Sequence, residues 1–259
     1  MIKKIAQPLV GILFLVGMIL KFMHLPGAGI MIFVGLSSAA LLLMLELIQV
    51  TGESLISQLY KLALAAGAIY VAAVMFKVMH WPGANIMLIV SMATLGLILV
   101  LSALKMRKWY FALLPLLFSV TLVMALFKIL HWPRPPYLLY GSYFAFITLL
   151  SGVLFYRSQA LKTSDGGLSK NYTLIGGLAL LLLAVELKIK YYPTLLGIDV
   201  NPMRVAETFV FAGIVAVIHR QLVNKPYSPE LQKDYQILKT IQGVFLMMLV
   251  MMVLVAANL

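Results

Sequence analysis

Hydrophobic residues along this chain fall into nine long runs separated by short polar segments. A run of about 20 apolar residues is long enough to span a bilayer as an α-helix. The pattern therefore predicts an all-α, polytopic helical membrane protein with about nine transmembrane helices. The predicted spans are 5–23, 29–50, 60–79, 84–104, 110–130, 136–156, 171–190, 203–222 and 238–258.

Four of the hydrophobic runs end in a related sequence, which is Lys-x-x-His-Trp-Pro in the copies at 77–82 and 128–133. The copy at 21–26 has Leu25 in place of Trp, and the copy at 188–193 is degenerate. The four prolines are separated by 56, 51 and 60 residues. A recurring period of this size indicates a chain built from one repeated unit. We therefore predict a single transmembrane domain over 1–259, with repeats at 5–50, 60–104, 110–156 and 171–222 and an extra helix at 238–258.

Each repeat is predicted to be a helical hairpin whose turn lies at the motif. Proline disfavours helical geometry in the residue before it, so the first helix should end there. Gly27 and Gly83 follow the proline directly and should relax the turn. Because every repeat contains two spans, all repeats share one orientation, unlike the inverted repeats of many secondary transporters.

The positive charges of the chain are distributed unequally between the two predicted sides of the membrane. Of the 20 Lys and Arg residues, 13 lie on the N-terminal side, and seven lie on the motif side: Lys21, Lys77, Lys128, Arg134, Lys188, Lys190 and Arg204. The positive-inside rule then predicts a multi-pass protein of the bacterial inner membrane, with a cytoplasmic N-terminus and a periplasmic C-terminus. Anionic lipid headgroups are sufficient partners for the net charge of +12, so no nucleic-acid partner is expected.

The motif residues allow three interpretations. First, Lys and His in the last helical turn can bond end carbonyls, and Trp can anchor at the membrane interface. Second, Lys and His three residues apart share a helix face and could contact a partner protein, a proton or a lipid phosphate. Third, one imidazole per hairpin could contribute to a metal site, although the motif contains no carboxylate. The candidate contacts are Lys21, His24, Lys77, His80, Trp81, Lys128, His131, Trp132 and Lys188.

Three carboxylates lie within predicted spans, where an unpaired charge is costly and suggests function. Glu46 is near the end of its span, so its side chain could instead reach the interface. Glu186 precedes Lys190 by four residues, and Glu207 follows Arg204 by three, which favours ion pairs along the helix. Glu46 and Glu207 are the candidate functional carboxylates.

Neither catalytic nor cofactor-binding signatures are present in the sequence. It contains no nucleotide-binding Gly-rich loop, no His-Glu-x-x-His and no Gly-x-Ser-x-Gly. The absence of cysteine excludes disulfides, thiol catalysis and thiolate metal ligation. We therefore expect no catalytic residue, no cofactor, no metal and no enzymatic activity.

The segments 20–31 and 76–87 resemble the N-terminal transmembrane hairpin of GldL, called PorL in non-gliding type IX secretors. They read Leu-Lys-Phe-Met-His-Leu-Pro-Gly-Ala-Gly-Ile-Met and Phe-Lys-Val-Met-His-Trp-Pro-Gly-Ala-Asn-Ile-Met. The resemblance implies two helices joined by an outward-facing turn. It also implies a homopentamer around helices of a partner, GldM, and a proton-driven motor for gliding motility and type IX secretion.

This chain departs from the GldL pattern in having about four hairpins in tandem and no long cytoplasmic tail. The resemblance implies a proton-coupling glutamate 13 residues after the motif proline. The residues here are Ala39, Leu95, Phe146 and Ala206, with Glu207 one place further on. We therefore predict a scaffold or accessory subunit of a GldL-like complex that holds a partner membrane protein. The alternative is a transporter or channel for a small solute, ion or lipid, with an outer ring of Lys21, Lys77 and Lys128. The sequence leaves the oligomeric state open.

Overall fold

The computed structural model describes residues 2–52, 54–104, 109–133, 136–162, 165–191, 200–224 and 231–257. Nine α-helices account for nearly all of this part of the chain. They are α1 (Ile2–Phe22), α2 (Ala28–Gln49), α3 (Leu55–Val78), α4 (Ala84–Leu104), α5 (Trp109–Ile129), α6 (Pro136–Leu161), α7 (Gly166–Tyr191), α8 (Val200–Asn224) and α9 (Gln232–Ala257).

Seven of these helices, α2 to α8, are long and apolar enough to cross a membrane. Helices α1 and α9 contain shorter apolar segments, Leu9–Phe22 and Ile237–Met251. The structure confirms the predicted all-α class of a multi-pass membrane protein. Membrane crossing by α1 and α9, the single domain and the repeat boundaries stay predictions.

Helices α6, α7 and α9 extend several residues beyond the predicted apolar runs. The added turns contain polar side chains, including Arg157, Ser169 and Asp234. These side chains form hydrogen bonds with side chains of neighbouring helices, so the helices continue where hydropathy alone indicates a connector.

The chain divides into two compact units. The first comprises Met1–Phe146 with Val253–Leu259. Within it, each helix from α1 to α4 packs against the next one along the chain. Helices α1 and α2 approach closely at two glycines: a Cβ on Gly17 would lie 2.8 Å from the Ile32 nitrogen, and one on Gly35 would lie 3.0 Å from the Phe14 Cα. A larger residue at either glycine would force the helices apart.

The first two hairpins bury corresponding positions. The first two motif prolines are 56 residues apart, and four pairs of residues with this same spacing are nearly inaccessible to solvent in both hairpins. The pairs are Phe14 and Tyr70, Met18 and Val74, Ile32 and Leu88, and Leu36 and Met92. Corresponding positions in α1 and α3, and in α2 and α4, therefore form the core of each hairpin.

The second unit comprises Ile147–Met252. A hydroxyl cluster joins α6 to α7, where the Ser158 hydroxyl lies 3.0 Å from the Ser169 hydroxyl and 2.6 Å from that of Thr173. Helix α7 packs against α8. Phe211 of α8 meets Phe245 of α9 with ring centroids 5.9 Å apart. Hydroxyl pairs and aromatic rings therefore both contribute to helix association in this unit.

Candidate functional site: the motif turns and the buried ion clusters

The C-terminal ends of α1, α3 and α5 share one unusual backbone geometry. His24, His80 and His131 have φ angles of 54°, 56° and 56°, in the left-handed region. The N–H of each histidine donates to the motif lysine carbonyl, at 3.1, 3.2 and 3.2 Å. The N–H of the following residue donates to the carbonyl five residues before it, at 2.8, 2.8 and 2.9 Å. This is a Schellman cap with histidine where glycine is usual.

The tryptophans of the motif complete this cap by an aromatic contact. The Trp81 ring lies 5.0 Å from the Phe76 ring, nearly perpendicular at 85°, and the Trp132 ring lies 5.2 Å from that of Phe127 at 87°. In a Schellman cap, the residue after the left-handed position commonly contacts a residue of the last helical turn. Trp81 also meets Phe33 of α2 at 6.1 Å. Through this contact, the second turn packs against α2 of the first hairpin.

A second left-handed residue begins the next helix in the first two turns. Gly27 and Gly83 have φ angles of 85° and 86°. Their carbonyls accept the first helical hydrogen bonds, from Met31 and Met87, both at 3.1 Å. Glycine adopts this conformation without steric cost, so it suits the point where the chain reverses.

The lysines of the second and third copies contact the following helix. Lys77 Nζ donates to Asn85 Oδ1 of α4 at 2.9 Å, and Lys128 Nζ lies 5.9 Å from the centre of the Tyr140 ring of α6. Lys21 and Lys188 are half-buried, and the three motif histidines are exposed. The turn of the fourth copy falls at 192–199, outside the described residues.

The carboxylates Glu186 and Glu207 share one guanidinium. Arg204 Nη1 lies 2.8 Å from Glu186 Oε1 and 2.6 Å from Glu207 Oε2. The side chain of Glu207 is only 2% exposed, and those of Arg204 and Glu186 are 16% exposed. The expected pair of Arg204 with Glu207 is present. Glu186 joins α7 to this pair, whereas the sequence favoured Lys190, whose side chain lies outside the described residues.

Glu46 is held by a neighbouring helix. The Tyr60 hydroxyl of α3 donates to Glu46 Oε1 of α2. Both residues lie close to the connector between the two helices. This hydrogen bond joins α2 to α3, so Glu46 contributes to the junction between the first two hairpins.

A second ion cluster, not predicted from the sequence, joins α6, α7 and α9. Asp234 is fully buried and accepts from Arg157 Nε and Nη2, both at 2.7 Å. The Tyr172 hydroxyl lies 3.3 Å from the same carboxylate. The partners are 77 and 62 residues apart in sequence, so no local spacing indicated them. A two-point contact of this kind fixes orientation as well as distance.

The described residues include no group of three or more His, Cys, Asp or Glu side chains that could hold a metal ion.

The cap geometry makes His80→Gly and His80→Val an informative pair of substitutions. We expect His80→Gly to keep the melting temperature at or above that of the wild type, because glycine has no Cβ to strain at positive φ. We expect His80→Val to lower stability by about 1–2 kcal/mol, because a left-handed conformation is most costly for a branched side chain. Thermal unfolding in detergent measures both. A stable His80→Gly protein that has lost function would show that the imidazole acts directly.

One family model matches the chain. It is described as the GldL N-terminal domain and matches residues 63–112, from within α3 through α4 to the start of α5. The chain therefore resembles the GldL family over the hairpin that contains the second motif copy. Nothing among curated proteins or solved structures matches the chain.

Proposed function

We propose that this GldL-like protein is a scaffold or accessory subunit of a bacterial inner-membrane complex. Its tandem hairpins would hold a partner membrane protein, in the setting of gliding motility or type IX secretion. The main support is the cap geometry shared by the C-terminal ends of α1, α3 and α5, one of which lies in the segment that matches the GldL domain. Each turn offers a stiff surface with an exposed imidazole and, in two copies, a half-exposed tryptophan.

The carboxylates support a structural role over proton transfer. Glu46, Glu186, Glu207 and Asp234 each accept from a tyrosine or arginine side chain. At the position where the resemblance implies a coupling glutamate, Leu95 and Phe146 are buried apolar residues. A paired carboxylate stabilises helix contacts, while an apolar residue cannot bind a proton. These features favour a non-enzymatic scaffold that does not itself drive a motor.

Purification of the tagged chain in mild detergent tests the scaffold. We expect another membrane protein to co-purify and to be depleted when both motif tryptophans are replaced, as in the double substitution Trp81→Phe and Trp132→Phe. Phenylalanine retains the ring contact within each cap but shortens the surface offered to a partner. Lys162→Gln, at an exposed residue after α6, is the control and should leave the yield of partner unchanged. A chain that purifies alone and transports a small solute, ion or lipid in liposomes would instead support the transporter.

The orientation proposed from the charge bias predicts the activity of reporter fusions. Alkaline phosphatase fused after residue 28 or 84 should be active, because the motif turns would face the periplasm. Fusion after residue 106 should be inactive, and a fluorescent protein that folds only in the cytoplasm should give the reverse pattern. Active phosphatase after residue 106 would reject the proposed orientation.

A further inference from the structure

Lys77 and Asn85 form a polar pair at the second motif turn, where α3 ends and α4 begins. Lys77 lies in the last turn of α3, and its Nζ donates to Asn85 Oδ1 at 2.9 Å. An ammonium group has three N–H donors, of which this bond uses one, and the amide nitrogen of Asn85 carries two more. The amide oxygen already accepts from Lys77, so the pair offers mainly donors and a positive charge. It therefore matches a ligand that consists of acceptor oxygens.

The sequence around this pair contains no carboxylate that could neutralise it. Residues 54–164 include no Asp or Glu, so neither α3 nor α4 has an acidic side chain. Glu46 of α2 accepts from Tyr60, which lies near the other end of α3. A negatively charged ligand would therefore complement the pair, and hydrogen bonds from an ammonium to an oxyanion are stronger than those between neutral groups.

The pair lies where two apolar helices reach the edge of the membrane. The apolar span of α3 covers Ser57–Val78, and that of α4 covers Ala84–Leu104. Lys77 and Asn85 are each one residue inside the end of their span. Spans of this length match the hydrocarbon thickness of a bilayer, so their ends lie at the level of the lipid headgroups. At this level the bilayer itself supplies phosphate oxygens.

Exposed aliphatic side chains continue from this pair along one face of α4. Ile86, Val90 and Leu97 are 69%, 52% and 60% exposed. Spacings of four and seven residues place all three on the same face of the helix. This face begins beside Asn85 and runs towards the middle of the span. A charged headgroup site followed by an apolar face fits the two parts of one phospholipid molecule.

We propose that Lys77 and Asn85 bind the phosphate of an anionic phospholipid, such as phosphatidylglycerol, and that its acyl chain lies along the exposed face of α4. In phosphatidylethanolamine the ammonium cancels the charge of the phosphate, so the site distinguishes the two lipids. The first hairpin offers an internal comparison, because Gly29 stands 56 residues before Asn85 and its turn lacks the amide. The proposal goes beyond the scaffold role and does not depend on it.

Photo-crosslinking in liposomes of equal parts phosphatidylglycerol and phosphatidylethanolamine tests the site. A diazirine amino acid replaces Ile86 in the full-length chain, and mass spectrometry gives the ratio of the two lipids among the adducts. We expect about a fivefold excess of phosphatidylglycerol, which corresponds to about 1 kcal/mol for one lysine near anionic headgroups. Lys77→Gln should remove this excess. Lys61→Gln, near the other end of α3, is the control and should leave it unchanged.

The matched probe at Ile30 of α2, which is 72% exposed, should give a smaller excess than the probe at Ile86. An equal excess at the two positions would overturn the proposal, because Asn85 would then contribute nothing. Equal amounts of the two lipids at Ile86, or an excess that persists in Lys77→Gln, would also overturn it. So would adducts between Ile86 and another protein in native membranes. The comparison of Ile30 with Ile86 leaves Lys77 and Asn85 intact, so it remains decisive if Lys77→Gln fails to fold.

Discussion

Arg204→Gln is expected to lower the free energy of unfolding by about 3–5 kcal/mol, the range for breaking a buried ion pair from one side. Two carboxylates, Glu186 and Glu207, would lose the guanidinium that joins α8 to α7. Glu207→Gln should cost far less, because Arg204 and Glu186 then remain as a balanced pair. Unfolding in mixed detergent micelles measures both variants.

Arg220→Gln provides the control for the Arg204 prediction, since Arg220 lies on α8 and is exposed. Its stability should stay within about 0.5 kcal/mol of the wild type. Combining Arg204→Gln with Glu186→Gln and Glu207→Gln should recover most of the loss, because no unpaired charge then remains in the cluster. Wild-type stability in Arg204→Gln would contradict a three-residue cluster. A stable but inactive Glu207→Gln protein would instead give Glu207 a role in proton transfer.

Arg157→Gln is the second substitution with a large expected effect, also about 3–5 kcal/mol. It leaves the Asp234 carboxylate buried without its two-point donor. Asp234→Asn should cost less, about 1–3 kcal/mol, because the side chain of Arg157 is 37% exposed and can be hydrated when its partner is neutral. Local unfolding should appear at the start of α9, as faster amide exchange around Asp234.

Lys162→Gln is the matched control for Arg157→Gln, since it removes an exposed positive charge just after the same helix. It should leave both the melting temperature and the exchange of α9 unchanged. If Asp234→Asn proved more damaging than Arg157→Gln, the assigned burial of the two groups would be wrong.

The helices were predictable because membrane spans depend on composition over some 20 residues, which a single sequence displays directly. The ends of α6, α7 and α9 were not predictable, because polar side chains there form hydrogen bonds with side chains of other helices. Arg157 and Asp234 are 77 residues apart, and only the assembled unit brings them together. Similarly, Arg204 of α8 contacts Glu186 of α7, for which the sequence favoured Lys190 as a partner on the same helix, whereas the predicted contact of Arg204 with Glu207 is present.

The motif was correctly predicted to end helices, but its mechanism was only partly predictable. The first of the three sequence interpretations assigned the bonds at the helix end to Lys and His side chains. In the structure, the histidine backbone adopts a left-handed conformation, and the histidine N–H donates a hydrogen bond to the carbonyl of the motif lysine. An available signal was the aromatic spacing: Phe76 and Trp81 are five residues apart, the separation at which a Schellman cap brings two side chains together.

The hydrogen bonds that cap α1, α3 and α5 join main-chain groups, which neither titrate nor carry a net charge that salt can screen. The backbone shape of the motif turns should therefore persist through changes in acidity and ionic strength. Side chains at the turns are correspondingly free to differ between copies, as Leu25 and Trp81 already do. A protein with connectors of this kind can present a different chemical surface at each turn while retaining one backbone.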